Sequence, residues 1–228
     1  MKDSKGKNIA IRNYRPEDGQ KVMELCADTG FLGKPIESLF EDRKWFADLN
    51  TRYYLNHEPD SCFIAEADGE FVGYVLGCRK PRQFTFVFYF LIAIPLFLKA
   101  LFKCIIRQYS PQSQNFIFRL ITRGIRERPR RPRGCGHLHI NIKEGYRGYG
   151  IGRSLVEALF FYFLSLGITK VYGELTFVEG RQTEDLYTRE GFMIYDKKAT
   201  TIWGKNLGKT YLMTVLVDIK KMLYAPKK

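Results

Sequence analysis

The chain has little histidine and no paired-cysteine pattern. Its three histidines are His57, His137 and His139, and its five cysteines (Cys26, Cys62, Cys78, Cys104, Cys135) include no CxxC pair. An odd, scattered set of cysteines argues against a disulfide framework. With no leader-like run at the N-terminus, it reads as reduced thiols in a cytoplasmic protein. The Walker pattern GxxxxGK[ST] and the spacing GxGxxG are also missing, which excludes the two commoner phosphate cradles. Acidic residues are nearly absent from one long stretch. Arg79 to Arg133 holds ten Arg and three Lys against one acid, Glu127, a net of +12 in a chain of +13. The remainder is close to neutral. A basic segment, 80–134, is therefore inserted in an otherwise ordinary globular domain spanning 1–228, and the two parts need separate explanations.

Hydrophobic periodicity gives the order β-α-α-β-β-(insert)-β-α-β-α-β-β. "IAIRNY" (9–14) alternates as a strand, and the following stretch reads as a helix closed by Gly30. Ile36 to about Tyr54 repeats apolar residues at helical spacing. "CFIAEADGEFVGYVLG" reads as two strands joined by Asp68-Gly69, a dipeptide that tolerates positive φ in a tight hairpin. After the insert, 136–142 is a strand, Gly150–Leu166 a helix stopped by Gly167, and "KVYGELTF" a strand. "GRQTEDLYTREGF" is a short helix ending at Gly191, and two closing strands follow.

The densest glycine cluster, at 145, 148, 150 and 152, sits where the strand "HLHINI" hands over to that long helix. The first N–H groups of a helix lack partners and its dipole favours negative charge there. Glycine lets backbone approach a phosphate and adopt positive φ. Arg147 and Arg153 flank the turn with charge-assisted donors. The physical reading is a pyrophosphate cradle.

Arg147-Gly148-Tyr149-Gly150-Ile151-Gly152 matches [QR]xxGx[GA], and "LYTREGF" (186–192) supplies a second landmark about 35 residues on. In these motifs and in its element order the chain resembles the GNAT acyltransferase superfamily. It is also similar to a subgroup carrying "AHLHID", related to the acetyltransferase-like domain of some eukaryotic O-GlcNAc hydrolases. The resemblance implies a mixed α/β sheet of about seven strands flanked by helices, with the basic, apolar helical insert between strands 3 and 4. It implies acetyl-CoA as co-substrate and no metal. The pantetheine arm would pair with backbone of Ile140, Asn141 and Ile142, and the pyrophosphate would lie on Arg147, Gly148, Tyr149, Gly150, Ile151 and Gly152, with Arg153 following. Gly180 stands where relatives often carry a cofactor-contacting Asn, which puts one contact in doubt.

Acyl transfer from a thioester to an amine requires a neutral amine, a stabilised oxyanion and a proton for the departing thiolate. Tyr187 matches the tyrosine that serves the sulfur in the family, and a phenol of pKa near 10 stays protonated at neutral pH. His137, His139 and Asn141 share one strand face. An imidazole suits a general base at neutral pH. Asn141 stands where the subgroup has Asp and cannot act as one, which points to His139, with His137 or a water relay as alternatives, or to purely supporting histidines. Cys135-x-His137-x-His139 lacks a fourth ligand for zinc, so no metal is expected.

In the insert, Phe84 to Leu98 carries no charge but as a helix spans only roughly 22 Å, and Pro95 would kink it, so it does not read as a membrane-crossing helix. Basic residues recur beside apolar ones beyond it, a pattern of helices lying on membrane surfaces. A lid over the acceptor or a homodimer interface are rival uses. The run "RERPRRPR" (126–133) offers charge for nucleic acid but no aromatics to stack bases, so nucleic acid is disfavoured, and it reads as a solvated connector. The expectation is a cytoplasmic acetyl-CoA-dependent N-acetyltransferase, an acyltransferase for groups other than aminoacyl groups. It would act on a small or lipid-linked amine, peripheral at the inner membrane surface through 80–133. A non-catalytic CoA-binding or membrane-surface adaptor is the alternative.

Overall fold

Seven strands form one mixed sheet in the order β1-β2-β3-β4-β5-β7-β6. The computed structural model describes residues 8–180, 188, 191–204 and 207–224. The strands are β1 (Ile9–Asn13), β2 (Cys62–Ala67), β3 (Glu70–Cys78), β4 (Gly136–Ile142), β5 (Lys170–Val178), β6 (Met193–Ala199) and β7 (Thr210–Asp218). All neighbours run antiparallel except β4 and β5. The β2–β3 hairpin turns at Asp68 (φ 50°) and Gly69 (φ 83°), the paired positive φ that this dipeptide supplies.

Among the described residues the α-helices are α1 (Gly19–Asp28), α2 (Arg43–His57), α3 (Pro81–Phe86), α4 (Ile94–Ile105), α5 (Pro111–Arg123), α6 (Ile151–Ser165) and α7 (Ile219–Tyr224). α6 covers one sheet face, with Leu155, Leu159 and Phe163 against Val75, Leu138 and Val171. α1, α2 and the insert cover the other, where Phe40, Trp45, Tyr53 and Tyr54 meet Ile64, Tyr74 and Leu76. α2 starts later than its periodicity suggests. Ile36–Ser38 is a single 3-10 turn and Phe40 is buried in a loop, because Asp42 caps α2 by accepting from the Trp45 amide at 2.9 Å.

The insert departs most from expectation. Pro81 to Ile105 is one continuous helical rod of 25 residues, long and apolar enough by length and composition to cross a membrane. Pro95 does not break it. The turns over Val87–Ala93 widen to π geometry, and the Ile94 amide reaches back five residues to the Tyr89 carbonyl. That widening keeps the buried stripe in register. Phe84, Val87, Ile92, Leu96 and Ala100 all face inward, and the five-residue step from Val87 to Ile92 is one π turn. The Trp45 indole donates to the Leu96 carbonyl at 2.7 Å, and Lys103 and Tyr109 both donate to Asp42 at 2.7 Å.

Candidate functional site

β4 and β5 pair only at Gly136–Val171, His137–Tyr172 and Leu138–Gly173. Beyond Leu138, β4 continues against β3 to Ile142, while β5 continues against β7 to Val178. The two strands therefore splay. The half-buried β4 edge from Ile140 to Ile142 has no partner strand on its β5 side, and backbone groups shielded from water demand partners. An extended ligand laid in the splay can supply it.

At the mouth of the splay lies the glycine turn. Gly145, Gly148 and Gly150 have φ of 86°, 83° and 78°, and Gly150 is the N-cap of α6. A Cβ on Gly148 would meet nothing within 4 Å, so this glycine is needed for its backbone angle and leaves open space above the turn. Gly152 differs, since its Cβ would come 3.1 Å from Ile142 Cδ1, and it lets α6 press close to β4. Ile151 is fully buried and anchors the helix start. Tyr149 packs partly buried beside the α6 core. Arg147 is not simply turned outward: Nε donates to the Ile142 carbonyl at 3.1 Å and Nη2 to the Gly33 carbonyl at 3.4 Å, strapping the turn to the α1–α2 loop. Arg153 bonds Glu157 one turn on, at 2.9 Å.

From this turn a cavity of about 1000 Å³ runs along the splay. Gly148, Gly150, Gly152 and Arg153 line one end; Tyr54, Phe84, Phe88, His137 and Glu174 line the other. His137, His139 and Asn141 face the α1–α2 side of β4, as their alternation requires. His137 Nδ1 lies 2.6 Å from the Tyr54 hydroxyl. His139 Nε2 lies 3.1 Å from the Tyr74 hydroxyl and 3.3 Å from Asn141 Nδ2, which also donates to the Tyr74 hydroxyl at 2.7 Å. An amide nitrogen can only donate, so Nε2 of His139 is an acceptor and the ring proton sits on Nδ1. Burial pushes His137 down to about 3 and His139 down to about 4. Both rings are neutral at physiological pH because a buried imidazolium would lose its hydration.

Glu174 was not singled out by the sequence. It is the first β5 residue past the last β4 rung, and the only carboxylate lining the cavity among the described residues. Arg128 Nη2 donates to it at 3.1 Å, and Arg131 grips it through Nε at 3.0 Å and through Nη2. The Arg131 guanidinium also lies 5.9 Å from the Phe84 ring centroid. Arg130 pairs with Asp196, and Glu127 accepts from Thr200 and Thr201. The basic run after α5 is thus pinned to the sheet at Glu127, Arg128 and Arg131, while Arg126, Arg130 and Arg133 stay exposed to solvent. Trp203 also lines the cavity, and its buried indole N–H has no partner among the described residues. Tyr187 lies outside the described residues, as does most of the short helix expected around it. Among the described residues no three His, Cys, Asp or Glu side chains are placed to hold a metal.

The family model for the acetyltransferase (GNAT) family matches residues 105–192. The structure superposes on that of SsHAT at TM-score 0.64 and 21% identity, covering 93% of this chain and 98% of that one. A polyamine N-acetyltransferase of Drosophila melanogaster that forms N-acetylagmatine matches at 0.54 and 16%, over 92% and 100%. The putative acetyltransferase yncA of Salmonella typhimurium, solved with its cofactor acetyl-CoA, matches at 0.53 and 13%, over 96% and 98%. Curated proteins show no match. A splayed mixed sheet with a glycine cradle at its mouth defines the GNAT fold. This chain has that fold, with a helical insert between β3 and β4, and residues 105–192 match the GNAT acetyltransferase family model.

Proposed function

We propose that the protein is an acetyl-CoA-dependent N-acetyltransferase. The observation that carries this reading is the β4 edge, without a partner strand beyond Leu138, running from the cradle at Gly148–Gly152 into a cavity that ends at Glu174. The residues present fit acetyl-CoA. The left-handed glycines turn the N–H groups at the start of α6 toward a diphosphate, and β4 offers backbone partners to the amides of a pantetheine arm. The bound thioester would supply the activated acyl group.

The chain's own residues do the rest. Glu174, held by Arg128 and Arg131, closes the acceptor end with a fixed polar cluster that positions the acceptor. Tyr54, Phe84 and Phe88 restrict water there, strengthening every polar contact inside. His139 lines the cavity as a neutral acceptor, and its Nε2, held by the Tyr74 hydroxyl, takes the proton that the acceptor amine gives up. Tyr187, by its family position, protonates the departing sulfur. Calorimetric titration with CoA, followed by an acceptor screen read by free thiol release, tests the proposal. CoA binding to the wild type and none to folded Gly150→Asp/Gly152→Asp is the expected result, since carboxylates would occupy the phosphate site.

A second reading, a non-catalytic CoA-binding protein, is favoured by the engagement of both imidazoles with tyrosine hydroxyls. Binding of CoA without thiol release for any amine would select it.

A further inference from the structure

The outward face of the insert carries no part of the site just described, yet it is the most apolar surface of the molecule. Twelve of the seventeen large hydrophobic side chains exposed among the described residues fall between Phe86 and Ile125. On the rod, Phe90 is 58% exposed, Leu98 62%, Phe102 61% and Ile105 78%; on α5, Phe118 is 66% exposed. Single exposed hydrophobics need no explanation, but a contiguous series along one rod does. We propose that this face seats the protein on an anionic membrane surface, with the rod lying in the plane of the interface.

Charge selects the occupant. Lys80, Arg82, Lys99, Arg107 and Arg126 are exposed within or beside the apolar face. Glu127 is the single acid from Arg79 to Arg133, and it is already bonded to Thr200 and Thr201. Anionic headgroups attract such cations near the surface, while Phe and Leu side chains enter the acyl boundary. A second copy of the chain would cover the same apolar face but would bring two strongly basic segments together, which Coulomb repulsion opposes.

Packing selects the orientation. The rod is long enough to cross a bilayer, but its inner stripe is not free to do so. Phe84, Leu96 and Ala100 are buried against the body, and the Trp45 indole is bonded to the Leu96 carbonyl. Crossing would strip these groups from the core. The seat therefore uses one side of the rod only. Because Phe84 and Phe88 of the same rod line the cavity, a helix diameter of about 10 Å separates membrane from acceptor end.

The test uses the full chain in sedimentation with vesicles of phosphatidylcholine, with and without phosphatidylglycerol, across a salt series. Expected are binding to the anionic vesicles at low salt, weakening as salt rises, and a residual salt-resistant component. Phe90→Glu/Leu98→Glu/Phe102→Glu should lower partitioning at least about tenfold. Lys99→Glu/Arg107→Glu should remove most of the salt-sensitive part, and both variants should keep wild-type helicity and CoA affinity because every altered side chain is exposed. Failure of the wild type to bind anionic vesicles at low salt overturns the proposal. So does a solution dimer that the triple variant converts to monomer without any vesicle binding, which would make the face a self-interface. Retention of the protein on the vesicles through an alkaline carbonate wash would overturn the in-plane orientation.

Discussion

Arg131 reaches Glu174 across 43 residues of sequence and closes the acceptor end of the cavity from beneath the Phe84 ring. One contact thus joins the insert's return path, its first helix and the strand edge where the sheet opens. Arg128 doubles it from the other side. Removing the carboxylate would leave two partly buried guanidiniums facing each other. Glu174→Gln is expected to cost about 1–3 kcal/mol of stability, seen as a lowered Tm. It should also reduce acceptor kcat/KM at least about tenfold with CoA affinity unchanged. Wild-type kinetics in the variant would remove Glu174 from the acceptor site.

The two glycines at the α6 start respond differently to alanine. Gly150 has a left-handed backbone (φ 78°), so Gly150→Ala strains the cap by roughly 1–2 kcal/mol. Gly152→Ala would place a Cβ 3.1 Å from the flexible tip of Ile142, which can shift, and should cost less. Thermal unfolding of the pair orders them, and the reverse order contradicts the cap geometry.

Acid should destabilise the fold earlier than ordinary carboxylate titration would. His137 and His139 fall from an ordinary 6.5 to about 3 and about 4 on burial. Between those values the unfolded chain binds protons that the folded chain refuses. Stability is therefore complete above about pH 6.5 and declines as pH falls toward 4 and 3. Tm should hold from pH 7.5 to about 6.5 and then drop toward pH 4.5, and His139→Gln should flatten part of that slope. A Tm indifferent to pH over this range would mean the imidazoles are not buried neutral.

The same burial fixes where catalysis should fail. With His139 as the proton acceptor, the acidic limb of kcat/KM has an apparent pKa near 4 rather than 6.5. His139→Gln should abolish that limb and lower kcat. If the limb persists, His139 supports β4 through Tyr74 and Asn141 and the acceptor lies elsewhere.

Tyr187→Phe should lower kcat while sparing acetyl-CoA affinity, since it deletes only a proton donor used late in the reaction. Single-turnover kinetics beside calorimetry separates the two. Loss of affinity instead would make the hydroxyl part of the binding surface.

Local signals were legible and distant ones were not. The Asp68-Gly69 hairpin, the β4 alternation and the glycine turn before α6 each state their structure within a dozen residues. The start of α2 was hidden because apolar Leu39 and Phe40 keep helical spacing while packing as a loop ahead of the Asp42 cap. The π turns were hidden because an unbroken apolar run shows no buried stripe whose spacing could be read. Glu174 was hidden for another reason: its partners, Arg128 and Arg131, lie 46 and 43 residues away and look like members of a uniform basic run.

The sheet is held together across its middle by a short seam. Three residue pairs join β4 to β5, against nine between β5 and β7 and six between β3 and β4. A sheet sewn this sparsely has two halves able to open as separate cooperative units, with backbone amides near the seam exchanging with solvent sooner than those a strand away. A ligand bonded along the β4 edge adds stitches where the strands part. Its binding energy then appears as slower amide exchange on both sides of the opening, fusing two folding units into one.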